Sequence, residues 1–291
     1  MKKEFLYLDG ECVRHCLTPE LVLQTVKDLW KNWKTGQLTE GDHSFLPAGK
    51  GTDNLFLHVP ACLSDRGILG FKWIGCYRNP ALGFPFSHSN LIVLNDIKTG
   101  EIKAVVHGTD ITAMRTAGGH AVAAVRYLMN RPLKVLSVIG NGTEAFRGIE
   151  GFLCEFPEIR KIQVYCRRRD GFEELLSRLK NGLYGDLFRE KGRDLLFFVS
   201  NKKQIGKGAD AILVATNSPN VLLDLEMVEP GTTVAAIDGF VDVDPRLAMA
   251  ADKWLIGNEK SDRAEIIDSG DMSHGIDLHY SDVYGEIADV V

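Results

Sequence analysis

One stretch constrains this chain more than any other: Leu133-Lys134-Val135-Leu136-Ser137-Val138-Ile139-Gly140-Asn141-Gly142-Thr143-Glu144-Ala145. An apolar, β-branched run of this length predicts a strand buried on both faces, which is the signature of a parallel sheet. It ends in Gly-x-Gly-x-x-Ala, and Phe146, Ile149, Leu153 and Phe156 then repeat at helical spacing. Strand, glycine turn and helix in that order are the context that a dinucleotide fingerprint requires. Gly140 permits the tight turn, Gly142 lets backbone amides approach a pyrophosphate, and Ala145 allows the helix to pack closely on the strand. Asn141 and Thr143 fill the intervening positions, so residues 140–145 are the candidate cofactor loop.

The surroundings predict a Rossmann-type doubly wound parallel sheet of the α/β class. Strands are expected at 134–139, 161–166, 195–199, 211–215, 233–237 and 253–256, with a crossover helix within 170–191. The first third reads differently. A short strand at 6–8 precedes a helix that Thr18 caps and Pro19 opens, with Val22, Val26, Leu29, Trp30 and Trp33 on its apolar face. Residues 35–54 read as a Gly-rich loop that carries His43. Strands at 55–60, 68–76, 91–95 and 101–107 follow, the last two joined by the hairpin loop Asp96-Ile97-Lys98-Thr99-Gly100. That pattern is an α+β unit with a mainly antiparallel sheet. A helix over 109–130, rich in alanine and glycine, links it to the rest, so domains are expected at 1–117 and 118–291.

Charge and composition exclude several partners. Lys+Arg number 34 against 39 Asp+Glu, a net charge of −5, with no basic run, which argues against nucleic acid. No secretory leader is recognised after Met1, and no apolar run approaches membrane-spanning length. Six scattered cysteines without a C-x-x-C pair point to reduced thiols in a cytoplasmic protein, and neither they nor the eight histidines suggest a metal site.

The second strand of the parallel sheet ends Val164-Tyr165-Cys166-Arg167-Arg168-Arg169. NAD-binding folds usually carry a carboxylate here, about twenty residues past the glycines, to hold the ribose 2′-hydroxyl. Three guanidiniums instead favour a 2′-phosphate, so the cofactor is expected to be NADP in preference to NAD. Two further cations are out of place. Lys72 interrupts the apolar strand 68–76, and Arg115 sits among the small residues of the linking helix. A lysine in a buried strand must snorkel, find a partner or lose its charge. Near a cofactor cleft, both would suit an anionic substrate.

The pieces Gly70-Phe71-Lys72-Trp73, Asn79-Pro80, Thr112-Ala113-Met114-Arg115-Thr116-Ala117, Ile139 to Ala145, Gly208 to Thr216 and Glu229-Pro230-Gly231-Thr232 resemble the ornithine cyclodeaminase/mu-crystallin family. The resemblance implies a homodimer formed through the N-terminal sheet, a substrate-binding and dimerisation domain, and a Rossmann domain holding NAD(H) or NADP(H). It puts Lys72 on the family's catalytic lysine and Arg115 on the arginine that binds the substrate carboxylate. Ser87, Thr112, Arg115, Arg167 and Thr216 join the glycine loop as cofactor contacts. There are departures. His43 stands where members carry a second arginine, and becomes the candidate substrate contact there. The segment from Ile237 to Pro245 is shortened, so that Phe240 occupies the nominal position of the cyclodeaminase aspartate, with Asp238 two residues early as its possible substitute or as a mere strand end. The chain stops at Val291, where members continue into a segment that returns to the first domain. Three activities stay open: an NAD(P)H-dependent oxidoreductase acting on a small 2-imino or 2-oxo acid or amino acid, a cyclodeaminase that recycles its cofactor, and a mu-crystallin-like NADPH-dependent binding protein.

Overall fold

The computed structural model describes residues 4–50, 54–79, 84–270 and 272–291, the side chains of 78–79 and 84–88 excepted. The chain divides into two compact units, one comprising residues through Thr18 with Asp28–Thr112, the other Pro19–Lys27 with Ala113–Val291.

The first unit opens with β1 (Leu6–Leu8) and α1 (Gly10–Cys16). The sequence reading has no helix at 10–16. It is a single capped turn pair, with the Asp9 carboxylate accepting from the Cys12 amide at 2.8 Å, and too short to show periodicity. The helix α2 (Pro19–Asn32) begins where the Thr-Pro pair predicts, and gives its first residues to the second unit. The expected loop at 35–54 is corrected: it contains β2 (Leu38–Glu40) and β3 (Ser44–Pro47), both antiparallel to β4 (Leu55–Leu63). These strands are three and four residues long and take their conformation from β4 rather than from any alternation of their own. Then come β5 (Ile68–Asn79), β6 (Phe84–Asp96) and β7 (Ile102–His107), giving a seven-stranded sheet of order β1-β7-β6-β5-β4-β2, with β3 also on β4. Only β1 on β7 is parallel within it. Asp96 holds the hairpin, accepting from the amides of Lys98 and Thr99 at 2.9 and 3.0 Å. Val13 of α1 packs with Leu8, Ile92, Leu94, Ala104 and Val106 on one sheet face.

The linking helix is one continuous rod in three parts. The helix α3 (Thr109–Arg115) runs into a wide π turn over Thr116–His120, and α4 (Ala121–Leu128) completes it. A wide turn frees an amide from its usual carbonyl. Here the Ala117 amide donates to the Glu144 carboxylate at 3.3 Å.

Beyond it, β8 (Val135–Ile139), α5 (Thr143–Glu155), β9 (Lys161–Tyr165), α6 (Arg169–Lys180), α7 (Gly185–Glu190), β10 (Leu196–Val199), β11 (Ala211–Val214) and β12 (Thr233–Ala236) alternate. They form a five-stranded, all-parallel sheet of order β10-β9-β8-β11-β12. The chain therefore winds outward from β8 in one direction and from β11 in the other. The two central strands are sealed on both faces, with Leu136, Val138, Ile139, Ala211, Ile212 and Leu213 fully buried. Ser137, the polar exception, donates to the Ile205 carbonyl at 2.6 Å and accepts from Gln163. The expected strand at 253–256 does not join this sheet. It forms β13 (Leu255–Ile256), paired only with β14 (Gly285–Glu286), because two residues bounded by turns cannot span a sheet edge.

The small residues of the linking helix meet their counterparts on α5. A Cβ added at Gly151 would lie 2.3 Å from the Gly118 carbonyl oxygen and 2.7 Å from its Cα, and one at Gly118 would lie 2.8 Å from the Arg147 oxygen. Backbone meets backbone here, and no side chain can give way. Gly151→Ala should therefore cost about 2 kcal/mol of stability, in the middle of the range for overpacking, measured as a fall in the denaturant midpoint at unchanged m-value.

Candidate functional site

In the first unit Lys72 lies mid-strand on β5, opposite Val59 of β4 and Ile92 of β6. It is half-buried and shares its sheet face with Ile74, which is buried, and Cys76. Burial pushes the Cys76 thiol up, and the Lys72 charge opposes that shift, so the ammonium's field reaches along the strand. His43 sits between β2 and β3, its Nε2 3.3 Å from Glu40 Oε1. Ser87 lies on β6 opposite Tyr77, and its side chain is outside the described residues. The Thr112 hydroxyl donates to the Gly108 carbonyl at 3.0 Å and accepts from Asn90 Nδ2 at 3.1 Å. Asn90 is buried on the same face of the sheet as Lys72, and its Oδ1 finds no hydrogen-bond partner in the protein. Asn90 lies one residue before the strand predicted at 91–95, and nothing in its sequence setting marks it.

In the second unit the glycine turn takes the form that the fingerprint requires. Gly140 follows β8 with φ 123°, a conformation that side chains rarely adopt. Its amide donates to the Tyr165 carbonyl at 2.9 Å, and a Cβ there would lie 2.1 Å from the Ala215 carbonyl oxygen. Gly140 therefore brings the ends of β8 and β11 together at the point where the winding reverses, the position at which open parallel sheets bind ligands. At Gly142 a Cβ would meet nothing within 4 Å, so the backbone at the start of α5 is uncovered by protein. Thr143 is the first residue of that helix, and Ala145 is fully buried against the sheet. The Asn141 amide donates to the Gly171 carbonyl at 3.2 Å, tying the turn to the start of α6. A forced glycine, an open backbone and a helix N-terminus fit a diphosphate.

The arginines at the end of β9 are all exposed but not equivalent. Arg169 is 3.7 Å from Glu173 and lies over the Phe198 ring at 5.5 Å, while Arg168 occupies the N-cap position of α6 without a side-chain capping bond. Arg167 precedes both. Arg115 ends α3 immediately before the π turn and is exposed in a single copy of the chain, so the burial problem that its sequence neighbours suggested does not arise. Ala117 and Gly118, the small residues that follow it, pack against α5.

Beyond β11 and β12 the second unit places Thr216, Asp238 and Asp242. Thr216 follows β11, with its methyl carbon 3.3 Å from the position of a Gly140 Cβ. Its hydroxyl donates to Asp242 Oδ2 at 2.5 Å and accepts from the Ser218 amide at 3.0 Å. Asp242 is 1% exposed and its Oδ1 has no partner in the protein. Burial pushes its carboxyl up to about 6, with the Thr216 hydrogen bond opposing and the charge of Asp238 adding to the rise. Asp238 touches solvent, yet surrounding protein atoms crowd its carboxyl enough to raise it too. The turn between them is pinned by His274, whose Nε2 is 2.6 Å from the Phe240 carbonyl oxygen, and His274 itself has φ 48°. Asp242 escapes a sequence reading because Asp-Val-Asp-Pro looks like a solvated turn.

Among the described residues no helix is long and apolar enough to cross a membrane, and no group of three His, Cys, Asp or Glu side chains is placed to hold a metal ion.

The chain is similar to several known proteins. An uncharacterized cyclodeaminase of Dictyostelium discoideum is 35% identical over 42% of this chain, and the match spans only 33% of that relative's length. The mouse ketimine reductase mu-crystallin is 24% identical over the whole chain and 88% of its own length. Among solved structures, the Thermococcus litoralis Δ1-pyrroline-2-carboxylate reductase, in complex with NADH and L-proline, superposes with a TM-score of 0.84 at 21% identity, covering 98% of this chain and 86% of that one. The sequence profile of the ornithine cyclodeaminase/mu-crystallin family matches residues 11–250, and the chain belongs to that family.

Proposed function

We propose that this protein is an NAD(P)H-dependent oxidoreductase acting on a small 2-imino or 2-oxo acid, or on the amino acid in the reverse direction. The observation that carries the reading is the Gly140 turn, where a forced glycine meets the end of β11 beside an uncovered helix start. Relatives named as ketimine and pyrroline-carboxylate reductases support the reaction class. The nicotinamide, when bound, supplies or takes the hydride at the substrate's α-carbon. Residues 140–145 hold the diphosphate through backbone amides, and Thr216 borders it. Arg115 grips the substrate carboxylate with two parallel bonds. Lys72 donates a proton to the imine nitrogen or carbonyl oxygen, or polarises it. His43 contacts the substrate from the β2–β3 turn.

The cofactor preference rests on charge. Arg169 is engaged by Glu173 and Phe198, so Arg167 is the guanidinium that meets a 2′-phosphate, and NADPH is favoured over NADH. The partner is a second copy of the chain. Tyr7, Val105, Val93 and Phe71 stand side by side across four strands on the sheet face opposite α1, and Tyr7 is 60% exposed. That face supplies the dimer interface.

A cyclodeaminase is the second reading. It is favoured by the crowded Asp238 carboxyl at the end of β12, which can handle a distal amine. Release of ammonia from ornithine without net change in nicotinamide absorbance would select it.

Two substitutions test the first reading. Lys72→Ala should lower kcat for reduction of cyclic imines or 2-oxo acids with ammonia about a thousandfold, while the Kd for the dinucleotide stays within about twofold. Turnover that survives would remove Lys72 from the mechanism. Arg167→Asp should weaken NADPH at least about tenfold and NADH much less, by fluorescence titration. Equal losses for the two cofactors would contradict the preference.

A further inference from the structure

The residue pair Thr216–Asp242 is not used by the reading above beyond a border contact, and its hydrogen bonding is incomplete in an informative way. Thr216 Oγ1 has one hydrogen to give and two lone pairs. One lone pair takes the Ser218 amide at 3.0 Å, and the 2.5 Å contact to Asp242 Oδ2 takes either the hydrogen or the second lone pair. Which of these it takes depends on where the Asp242 proton is. An ionised carboxylate accepts the hydroxyl hydrogen, and Thr216 then has nothing to donate elsewhere. A protonated carboxyl donates into the second lone pair, and the Thr216 hydrogen is released. Thr216 is half-buried and its methyl carbon lies 3.3 Å from where a Gly140 Cβ would stand, so the released donor is at the rim of the glycine turn.

We propose that Asp242 is a positioning residue which, by keeping its proton, turns the Thr216 hydroxyl into a hydrogen-bond donor for an acceptor oxygen of the dinucleotide bound at the Gly140 turn. The inference rests on the dinucleotide reading and adds to it that binding takes up a proton at a site the ligand does not touch.

The groups around Asp242 suit this role. It is 1% exposed, its Oδ1 has no hydrogen-bond partner among the described residues, and burial outweighs the pull of Thr216 and of its own backbone amide toward the charged form. From β12's turn it faces Asp238, whose negative charge opposes ionisation. From the segment after β11 it faces Thr216, while the amides of Leu222 and Leu223 go to its backbone carbonyl. The one arginine nearby in sequence, Arg246, is spent on Asp244 and Glu226. Burial and Asp238 push the carboxyl up to about 6, so both protonation states are within reach near neutrality. The sign follows: the dinucleotide favours the protonated state, so affinity is highest below about 6 and falls as pH rises through it.

The test is a fluorescence titration of NADH from roughly pH 5 to roughly pH 8. NADH is chosen because the 2′-phosphate of NADPH titrates in the same range. The wild-type Kd should rise about tenfold across the range, one hydrogen bond to a charged acceptor being worth about that factor. Asp242→Asn keeps the shape and offers an N–H to Thr216 permanently. Its Kd should stay at the low-pH wild-type value throughout. Thr216→Val should bind weakly at every pH, without the slope. An Asp242→Asn protein with the wild-type slope, or a Thr216→Val protein that retains it, overturns the inference. A ligand-free measurement separates the two levels of the proposal: infrared difference spectra, wild type minus Asp242→Asn, should show a protonated carboxyl lost with a midpoint near about 6. If that carboxyl is already ionised at roughly pH 5, the inference fails while the dinucleotide site stands. If the carboxyl titrates as expected but wild type binds neither NADH nor NADPH, the dinucleotide reading fails and takes this inference with it.

Discussion

The approach of Gly140 to the Ala215 carbonyl is the constraint on which the second unit depends. Two parallel strands that wind in opposite directions leave a gap at their shared end. In this chain that gap is set by backbone against backbone, at a distance that no Cβ would tolerate. The strands on either side are rigid because both faces of each are sealed by aliphatic side chains, so the turn has nowhere to relax. The same contact brings Thr216 to the rim and opens Gly142 to the outside. Local conformation, core packing and the ligand cradle are three consequences of one close approach.

A second close approach carries the linking helix. Gly118 and Gly151 place two helices so near that the π turn over Thr116–His120 is seated directly on α5. The Glu144 carboxylate, in the first turn of α5, receives the Ala117 amide. Glu144 therefore belongs at once to the glycine fingerprint and to the anchoring of the helix that ends in Arg115. Small residues around Arg115 suggested a buried guanidinium. Those that follow it are instead the footprint of α5, and Arg115 itself is exposed.

Electrostatics works against stability at one point. The shift of the Asp242 carboxyl from 3.8 to about 6 means that ionising it in the folded protein costs about 3 kcal/mol at neutral pH. The cost is absent below 3.8, where folded and unfolded chains both hold the proton, and complete above about 6. Such a site persists when the surrounding fold over-determines it, and here the turn is held by His274 on Phe240 and by Asp244 on Arg246.

The glycine turn, the parallel strands, the Asp96 hairpin and the small face of the linking helix were all legible in the amino-acid sequence, because each follows from interactions within a few residues. A β-branched run, a positive-φ glycine or an Asx-type turn carries its own local signal. The segments α1, β2 and β3 left no such signal: they are too short for periodicity and are shaped by the strands they join. The separation of β13 from the main sheet is decided by its partner β14, about thirty residues away in sequence. The pairing of Thr216 with Asp242 likewise joins separate segments, 26 positions apart. Sequence alone determined the class of the fold and the position of the glycine turn. Only the tertiary structure decided which carboxylate is buried and which arginine is already engaged, because burial and charge pairing are properties of what the rest of the chain packs around a residue.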